Sequence, residues 1–127
     1  MRLPWDSRYA DYTNVGAAQL IADAACADQF VLGPATSAAW RDVDLAAHEA
    51  TARVGGVTHR EIGANVLGDP RIALTWIVNE LSEIGVGLDA VLAVTTGFCM
   101  TPIPVNSGDD VEADFGAFGR VSVAFMD

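Results

Sequence analysis

Residues Val91 to Val105 read VLAVTTGFCMTPIPV, and this stretch decides how we expect the rest of the chain to be organised. Its first half is apolar and rich in β-branched residues, which predicts a buried strand. The strand should break at Thr95-Thr96-Gly97, where two hydroxyls and a residue without a Cβ can present donors and bare backbone N–H groups to a ligand. The Pro-Ile-Pro that follows stiffens the exit, because proline fixes φ and cannot donate to a sheet. An ordinary strand-to-loop junction would show the same pattern, so both interpretations stay open.

The chain has 127 residues, half of them apolar, which predicts one globular domain over residues 1–127. No apolar run approaches the roughly 20 residues that a membrane helix needs. The first residues lack the apolar core of a signal peptide, which favours a cytoplasmic protein. Cys26 and Cys99 form no metal or redox spacing and are expected to be free, buried thiols.

The formal net charge of -10 argues against a nucleic-acid partner, because no basic stripe is present to displace phosphate counterions. All seven basic residues besides histidine are arginine. The absence of lysine excludes Schiff-base chemistry and a lysine general base within these 127 residues.

The order of elements predicts an α+β, β-rich domain with one or two packed helices. The clearest helix starts at Asp69, a plausible N-cap, with Pro70 at the first helical position. Its apolar residues should lie on one face that packs on a sheet, and glycines should end it. That face comprises Ile72, Trp76, Ile77, Leu81 and Ile84, and the terminating glycines are Gly85 and Gly87.

Turn residues predict two hairpins. In the first, Gly55-Gly56 precedes a return strand over residues 57–62; in the second, residues 116–119 join alternating runs over 111–115 and 120–125. Alanine content favours a helix over residues 15–28, and residues 30–34 resemble a short buried strand. Residues 1–14 are expected to be extended, and residues 106–110 to form a turn.

Two weak metal candidates come from strand alternation. His59 and Glu61 would share a strand face and could hold a cation, although an exposed edge pair is the alternative. Asp42 and Asp44 would also share a face, but two carboxylates without a third ligand make a weak divalent site. His48 lies near the same hairpin.

Nine short motifs follow one another in an order that is more specific than any of them alone. They are Asp6-Ser7-Arg8, Ile21-Ala22-Asp23, Phe30-Val31-Leu32-Gly33-Pro34, Asp44-Leu45-Ala46-Ala47-His48, Asn65-Val66-Leu67-Gly68-Asp69-Pro70, Ala73-Leu74-Thr75-Trp76, Asn79-Glu80-Leu81, Thr95-Thr96-Gly97 and Pro104-Val105. In this order, from about Leu3 to Phe125, the chain resembles the C-terminal portion of the 2-keto-4-pentenoate hydratases, within the fumarylacetoacetate hydrolase superfamily. The 4-oxalocrotonate decarboxylases share this frame, and Thr95-Thr96-Gly97 looks more like the hydratase branch.

The resemblance implies an incomplete, fumarylacetoacetase C-terminal-like mixed β-roll. It implies a divalent cation, Mg²⁺ or Mn²⁺, and a small 2-oxo or 2-hydroxydienoic acid as ligand. The family adds water to 2-hydroxypenta-2,4-dienoate, giving a 4-hydroxy-2-oxo acid, in the breakdown of aromatic compounds. By this resemblance Thr95, Thr96 and Gly97 would bind the substrate carboxylate, Ser7 and Arg8 would border the substrate, and Asp6 would be a weak metal ligand.

The chain departs from the family pattern at the cation site. The family's Glu-x-Glu pair and lysine would lie upstream of Met1, and Leu3 stands where a third ligating glutamate is usual. Asp6 alone would bind magnesium poorly, because a divalent site needs several oxygens. No catalytic residue is therefore assigned within this chain.

Three hypotheses follow. The chain is a hydratase portion that is inactive until an upstream polypeptide supplies the missing ligands, or a decarboxylase-branch portion, or a non-catalytic remnant or interaction module on the same fold. Apolar surface left without its partner strands should make it a homo-oligomer unless a complementing polypeptide covers it. No membrane or nucleic-acid partner is expected.

Overall fold

The computed structural model describes residues 14–26, 30–90 and 92–126. Two α-helices and four strands lie along these ranges, together with three single turns of 3₁₀-helix. In chain order the helices and strands are α1 (Ala17–Ala22), β1 (Glu49–Val54), β2 (Val57–Ile62), α2 (Pro70–Glu83), β3 (Asp110–Asp114) and β4 (Arg120–Ala124). The 3₁₀ turns cover Ala24–Cys26, Gly63–Asn65 and Gly116–Phe118. This confirms a β-rich α+β domain.

The four strands form one sheet in the order β2-β1-β3-β4. All three pairings are antiparallel, so the expected mixed β-roll is not met by these four strands. The central strand β1 carries much of the core, because Ala50, Ala52 and Val54 point to one face and are only 6–8% exposed. Alternation places charged side chains on the opposite face. There Arg60 pairs with Glu49, and Arg120 Nε lies 2.8 Å from Asp114 Oδ2.

Both predicted hairpins are confirmed. Gly55 and Gly56 have φ of 54° and 82°, as a two-residue turn between right-handedly twisted strands requires. The second hairpin closes around Gly116–Phe118, where Asp114 Oδ1 accepts a hydrogen bond from the Gly116 N–H at 2.8 Å. The turn at 106–110 is also present, and Asp109 Oδ2 accepts from the Asn106 N–H at 2.7 Å. Local turn chemistry therefore sets the register within each hairpin.

The helix α2 begins and ends as the sequence predicts. Asp69 caps it by accepting from the Arg71 N–H at 2.8 Å, and Pro70 occupies the first turn. At the other end Gly85 has a φ of 76°, and the Val86 N–H donates to the Leu81 carbonyl at 2.8 Å. A glycine in the left-handed region with this bond closes the last turn of a helix.

The predicted packing of α2 on the sheet is wrong, because α2 has no extensive contact with any of the four described strands and part of its apolar face is exposed. Ile72 and Trp76 are 54% and 60% exposed, and Ile84 is exposed as well. The half-buried positions form a narrower stripe, Ala73, Ile77 and Leu81, in which Ile77 and Leu81 were expected. The helix carries apolar residues on more than one face, so a single contact cannot cover them all.

Two predicted buried strands are not strands in the structure. Residues 92–94, in the strand predicted before Thr95, have no regular structure, and Leu92 and Val94 are exposed. Residues 30–34 are likewise irregular, with Phe30, Val31 and Leu32 exposed. A strand needs a neighbour for its N–H and C=O groups, and the sheet of the described residues includes neither segment. An apolar, β-branched composition alone did not decide the conformation.

Two further expectations are corrected near the N-terminal half. The helix predicted over 15–28 is shorter, because Ala24 and Ala25 have positive φ and end the α-helical path after Ala22. Asp42 and Asp44 do not share a strand face, because residues 41–47 form turns. Asp44 Oδ1 instead accepts from the N–H groups of Ala46 and Ala47 at 3.0 and 3.1 Å. The extended segment predicted for 1–14 falls almost wholly outside the described residues.

Among the described residues, α1 and α2 are the only α-helices, and neither is long enough and apolar enough to cross a membrane.

Candidate functional site

The segment Thr95–Gly97 is accessible, as a ligand-binding segment must be. Thr95 and Gly97 are exposed and Thr96 is half-buried. Gly97 has a φ of 114°, which favours glycine strongly over residues with a Cβ. The two hydroxyls and the neighbouring backbone N–H groups are therefore donors that a ligand from solvent can reach.

The loop after β2 (residues 63–68) contacts this segment on one side. If Gly97 carried a Cβ, that atom would lie 3.6 Å from Val66 Cγ1, in ordinary van der Waals contact. Val66 is one of the few buried residues of the described chain, and Val105, where the motif of 91–105 ends, is another. The Thr95–Gly97 segment thus lies against a fixed part of the fold.

A polar contact joins the same two segments. Asn65 Nδ2 donates to Glu61 Oε2 at 2.7 Å and to the Cys99 carbonyl at 3.0 Å. Glu61 is half-buried on β2, and Cys99 is a free, half-buried thiol two residues beyond Gly97. The side-chain amide of Asn65 therefore links the Glu61 carboxylate to the Cys99 carbonyl, two residues beyond Thr95–Gly97.

Sequence reasoning missed the role of Asn65. The run from Asn65 to Pro70 was used only as part of the motif order, and Glu61 only as a partner for a metal with His59. A polar residue directly after a strand, in a turn that also contains a buried valine, was the available signal. Its partner lies 34 residues further along the chain, at Cys99, which local patterning could not reveal.

The His59–Glu61 pair has the shared face that alternation predicts. Their partners across β1 are Ala52 and Ala50, whose side chains point to the core side of the sheet. Since β2 is an edge strand, the exposed-edge alternative also agrees with its position, although both side chains are half-buried. Two donors without a third do not make a divalent site.

His48 is engaged structurally. Its Nε2 donates to the Phe115 carbonyl at 2.8 Å, and its ring centroid lies 4.7 Å from that of Phe118. These contacts join the start of β1 to the second hairpin, so His48 is not free to bind a ligand through Nε2.

The donor set within 14–26, 30–90 and 92–126 does not fit the divalent cation that the family resemblance implies. No group of three or more His, Cys, Asp or Glu side chains is arranged there to hold a metal ion. Leu3, Asp6, Ser7 and Arg8 all lie outside the described residues, so the predicted metal and substrate border cannot be placed against Thr95–Gly97.

A separate groove of about 650 Å³ lies at the turn end of the sheet. It runs beside Arg53, between the Gly55-Gly56 turn and the residues 108–112, and reaches 122–124 on β4. None of its lining residues belongs to Thr95–Gly97 or to the loop after β2. It is thus distinct from the candidate site.

Comparison with known proteins gives no matching family model. It does give relatives over nearly the whole chain. The chain is 32% identical over 124 residues to the 2-keto-4-pentenoate hydratase of Burkholderia vietnamiensis, covering 97% of this chain and 44% of the relative. It therefore spans less than half the length of that enzyme.

Two solved structures of the 4-oxalocrotonate decarboxylase from Pseudomonas putida G7 resemble the fold. One, complexed with calcium and acetate, gives a TM-score of 0.78 at 30% identity, covering 95% of this chain and 45% of that chain. The other, complexed with magnesium and adipate, gives a TM-score of 0.81 at 29% identity, covering 95% and 46%. The names and the fold are consistent with the fumarylacetoacetate hydrolase superfamily. Over nearly all of its length this chain is thus related to part of the 2-keto-4-pentenoate hydratases and 4-oxalocrotonate decarboxylases, which confirms the family resemblance that the order of its motifs predicted.

Proposed function

We propose that this chain forms the substrate-carboxylate wall of a lyase site for a small 2-oxo or 2-hydroxydienoic acid. The reaction we assign to the assembled site is the addition of water to 2-hydroxypenta-2,4-dienoate, which gives a 4-hydroxy-2-oxo acid. The single observation that carries the proposal is the accessible Thr95–Gly97 segment, in which Gly97 lies against the buried Val66. The relationship to a hydratase supports the class of substrate.

The chemistry of Thr95–Gly97 suits an anion. Two hydroxyls and bare N–H groups can donate to a carboxylate together, and hydrogen bonds to a charged group contribute about 1.5 to 3 kcal/mol each. A glycine at positive φ lets the backbone approach the ligand without a side chain in the way. In this proposal the chain's own part is to bind and orient the acid; Ser7 and Arg8 would border it, and Asp6 remains only a weak candidate ligand.

The remaining catalytic groups would come from the part of the longer relatives that this chain does not cover. The chain spans 44% of the hydratase relative, and it contains no lysine. The activity is therefore proposed for this chain together with a complementing portion, on the same or another polypeptide, in a soluble cytoplasmic assembly. In that assembly Mg²⁺ or Mn²⁺ would be held by residues other than the described ones.

Decarboxylation is the second candidate reaction. It is favoured by a specific observation: the solved structures with TM-scores of 0.78 and 0.81 are decarboxylases, at nearly the same identity as the hydratase relative. Hydration of a dienoate and decarboxylation of a 2-oxo-3-enedioate both begin with a 2-oxygenated carboxylate, so the same wall would serve either reaction.

A chimaera tests both reactions. The aligned 44% of the Burkholderia vietnamiensis hydratase is replaced by this chain, and loss of 2-hydroxypenta-2,4-dienoate and release of CO₂ from 2-oxohex-3-enedioate are followed with Mg²⁺ or Mn²⁺. We expect hydration. The T95V/T96V chimaera should lose about 10- to 100-fold in kcat/KM or more, as the loss of at least one charge-assisted hydrogen bond requires.

The matched control is T58V, which removes a threonine hydroxyl from an exposed position on β2. It should leave kcat/KM unchanged. CO₂ release without hydration would assign the chain to the decarboxylase branch. A folded chimaera with neither activity would favour a non-catalytic module on this fold.

A further inference from the structure

The side-chain amide of Asn65 has a single orientation that satisfies its two hydrogen-bond partners. Its Nδ2 carries two hydrogens, and the two partners, Glu61 Oε2 at 2.7 Å and the Cys99 carbonyl at 3.0 Å, can only accept. The amide nitrogen must therefore face both partners, and both of its hydrogens are used. Neither an aspartate nor an alanine can make this pair of contacts.

These contacts connect strand β2 to the irregular stretch that contains Cys99. Glu61 lies on β2, where it is opposite Ala50 of the central strand. Cys99 lies in a stretch without regular structure, immediately after the threonine segment. Backbone without a strand or helix ladder depends on such side-chain contacts for a fixed conformation.

The neighbouring residue adds an apolar contact. Val66 is buried, and its Cγ1 lies 3.6 Å from the position of a Cβ on Gly97. Asn65 and Val66 therefore contact the stretch at both Cys99 and Gly97, on either side of Phe98. Between them they determine where the segment Thr95–Gly97 lies relative to β2.

We propose that Asn65 is a positioning residue for the carboxylate-binding segment Thr95–Gly97, which it holds against β2 by joining the Cys99 carbonyl to the Glu61 carboxylate. The inference rests on the proposed function, since it is the binding of a 2-oxo acid that the position of the segment controls. Asn65 itself need not touch the ligand. Its loss allows Thr95 and Thr96 to move away from the binding geometry while the sheet stays folded.

The experiment uses the full chain and two independent readouts. Binding of 2-oxopentanoate, an unreactive 2-oxo acid, is measured by ligand-observed NMR titration. The exposure of the Cys99 thiol is measured by its labelling rate with a disulfide reagent in a C26S background. N65A should weaken binding by about 3-fold, as the loss of a hydrogen bond exposed to water predicts, and should raise the labelling rate of Cys99.

Two variants separate positioning from general stability. N79A removes an exposed asparagine from α2 and should change neither readout. N65D places two carboxylates together and removes the donor to Cys99, so it should weaken binding and raise the labelling rate of Cys99. Adding E61Q to N65D removes the charge repulsion but does not restore the hydrogen bond to the Cys99 carbonyl. The Cys99 thiol should therefore still be labelled fast.

The two readouts distinguish failure of the proposed function from failure of the inference about Asn65. If the wild-type chain does not bind 2-oxopentanoate at all, the proposed function is wrong and this inference is wrong with it. If the wild type binds and N65A binds equally well, Asn65 is not a positioning residue, whatever happens to Cys99 labelling, and the proposed function stands.

Discussion

At the scale of single residues, a close backbone contact leaves room only for glycine at position 63. A Cβ at this position would lie 1.9 Å from the Leu45 carbonyl oxygen. The two segments cannot simply separate, because the Gly63 N–H donates to the His48 carbonyl at 3.0 Å and the Ala64 N–H to the Ala46 carbonyl at 2.7 Å. We expect Gly63→Ala to lower the free energy of unfolding by about 1 to 3 kcal/mol, as overpacking does.

Urea denaturation of the full chain measures this loss. Gly87→Ala is the matched control, because nothing lies within 4 Å of a Cβ there and its φ is not in the left-handed region. The control should be neutral or slightly stabilising, since alanine restricts the unfolded chain. Equal effects of the two substitutions would show that the approach of Leu45 to Gly63 is not rigid.

Single residues also show where sequence reasoning stopped. The glycine and the hydroxyls of Thr95–Gly97 were predicted to bind a ligand; the segment is accessible and Gly97 has a positive φ, and the binding role stays a prediction. The role of Asn65 was not predicted, because its partner Cys99 is brought close only by the tertiary fold. His48 was considered near a metal candidate, but Phe115 occupies its Nε2 from 67 residues away. Contacts of this range leave no local pattern.

At the scale of elements, α2 depends on its cap. Asp69 accepts from the Arg71 N–H at 2.8 Å and satisfies one of the free donors of the first turn. Asp69→Ala should lower the free energy of unfolding by about 1 kcal/mol, with a small loss of helical circular dichroism at 222 nm. Glu80→Ala, on an exposed position of the same helix, should cost less than half as much.

The elements that sequence reasoning predicted correctly have local determinants. The cap and terminating glycines of α2 and the turns of both hairpins each need only a few neighbouring residues. Residues 30–34 and the run before Thr95 were predicted as strands from composition, and residues 30–34 and 92–94 are irregular. Outside a hairpin, a strand needs a partner far away in the chain, and composition carries no information on whether that partner is present.

At the scale of the whole molecule, Ile72 and Trp76, one turn apart on α2, form an exposed apolar patch. Their side chains are 54% and 60% exposed, and Leu74 and Val78, on the opposite side of α2, are 40% and 42% exposed. The chain spans less than half of its relatives' length. An apolar patch of this kind favours self-association when nothing covers it. We expect the isolated chain to form oligomers whose mass rises with concentration in light scattering.

The I72E/W76E variant should shift that distribution towards monomer without lowering the melting temperature by more than about 2 °C, because both side chains are mostly exposed. N79E/S82E adds the same two charges to exposed polar positions of α2 and serves as the control for net charge. If the control dissociates the oligomers equally well, charge repulsion and not the apolar patch sets the association.

Catalysis by the isolated chain is the last expectation at this scale. The described residues contain no cluster of three metal-ligating side chains, the chain has no lysine, and Asp6 alone offers too few oxygens for a divalent cation. We therefore expect no detectable hydration of 2-hydroxypenta-2,4-dienoate by the isolated chain with Mg²⁺ or Mn²⁺, followed by the ultraviolet absorbance of the dienoate. The same preparation should still bind 2-oxopentanoate through Thr95–Gly97. Turnover that rises in proportion to chain concentration, and that T95V/T96V removes, would mean that residues outside the described ranges complete the site without a partner.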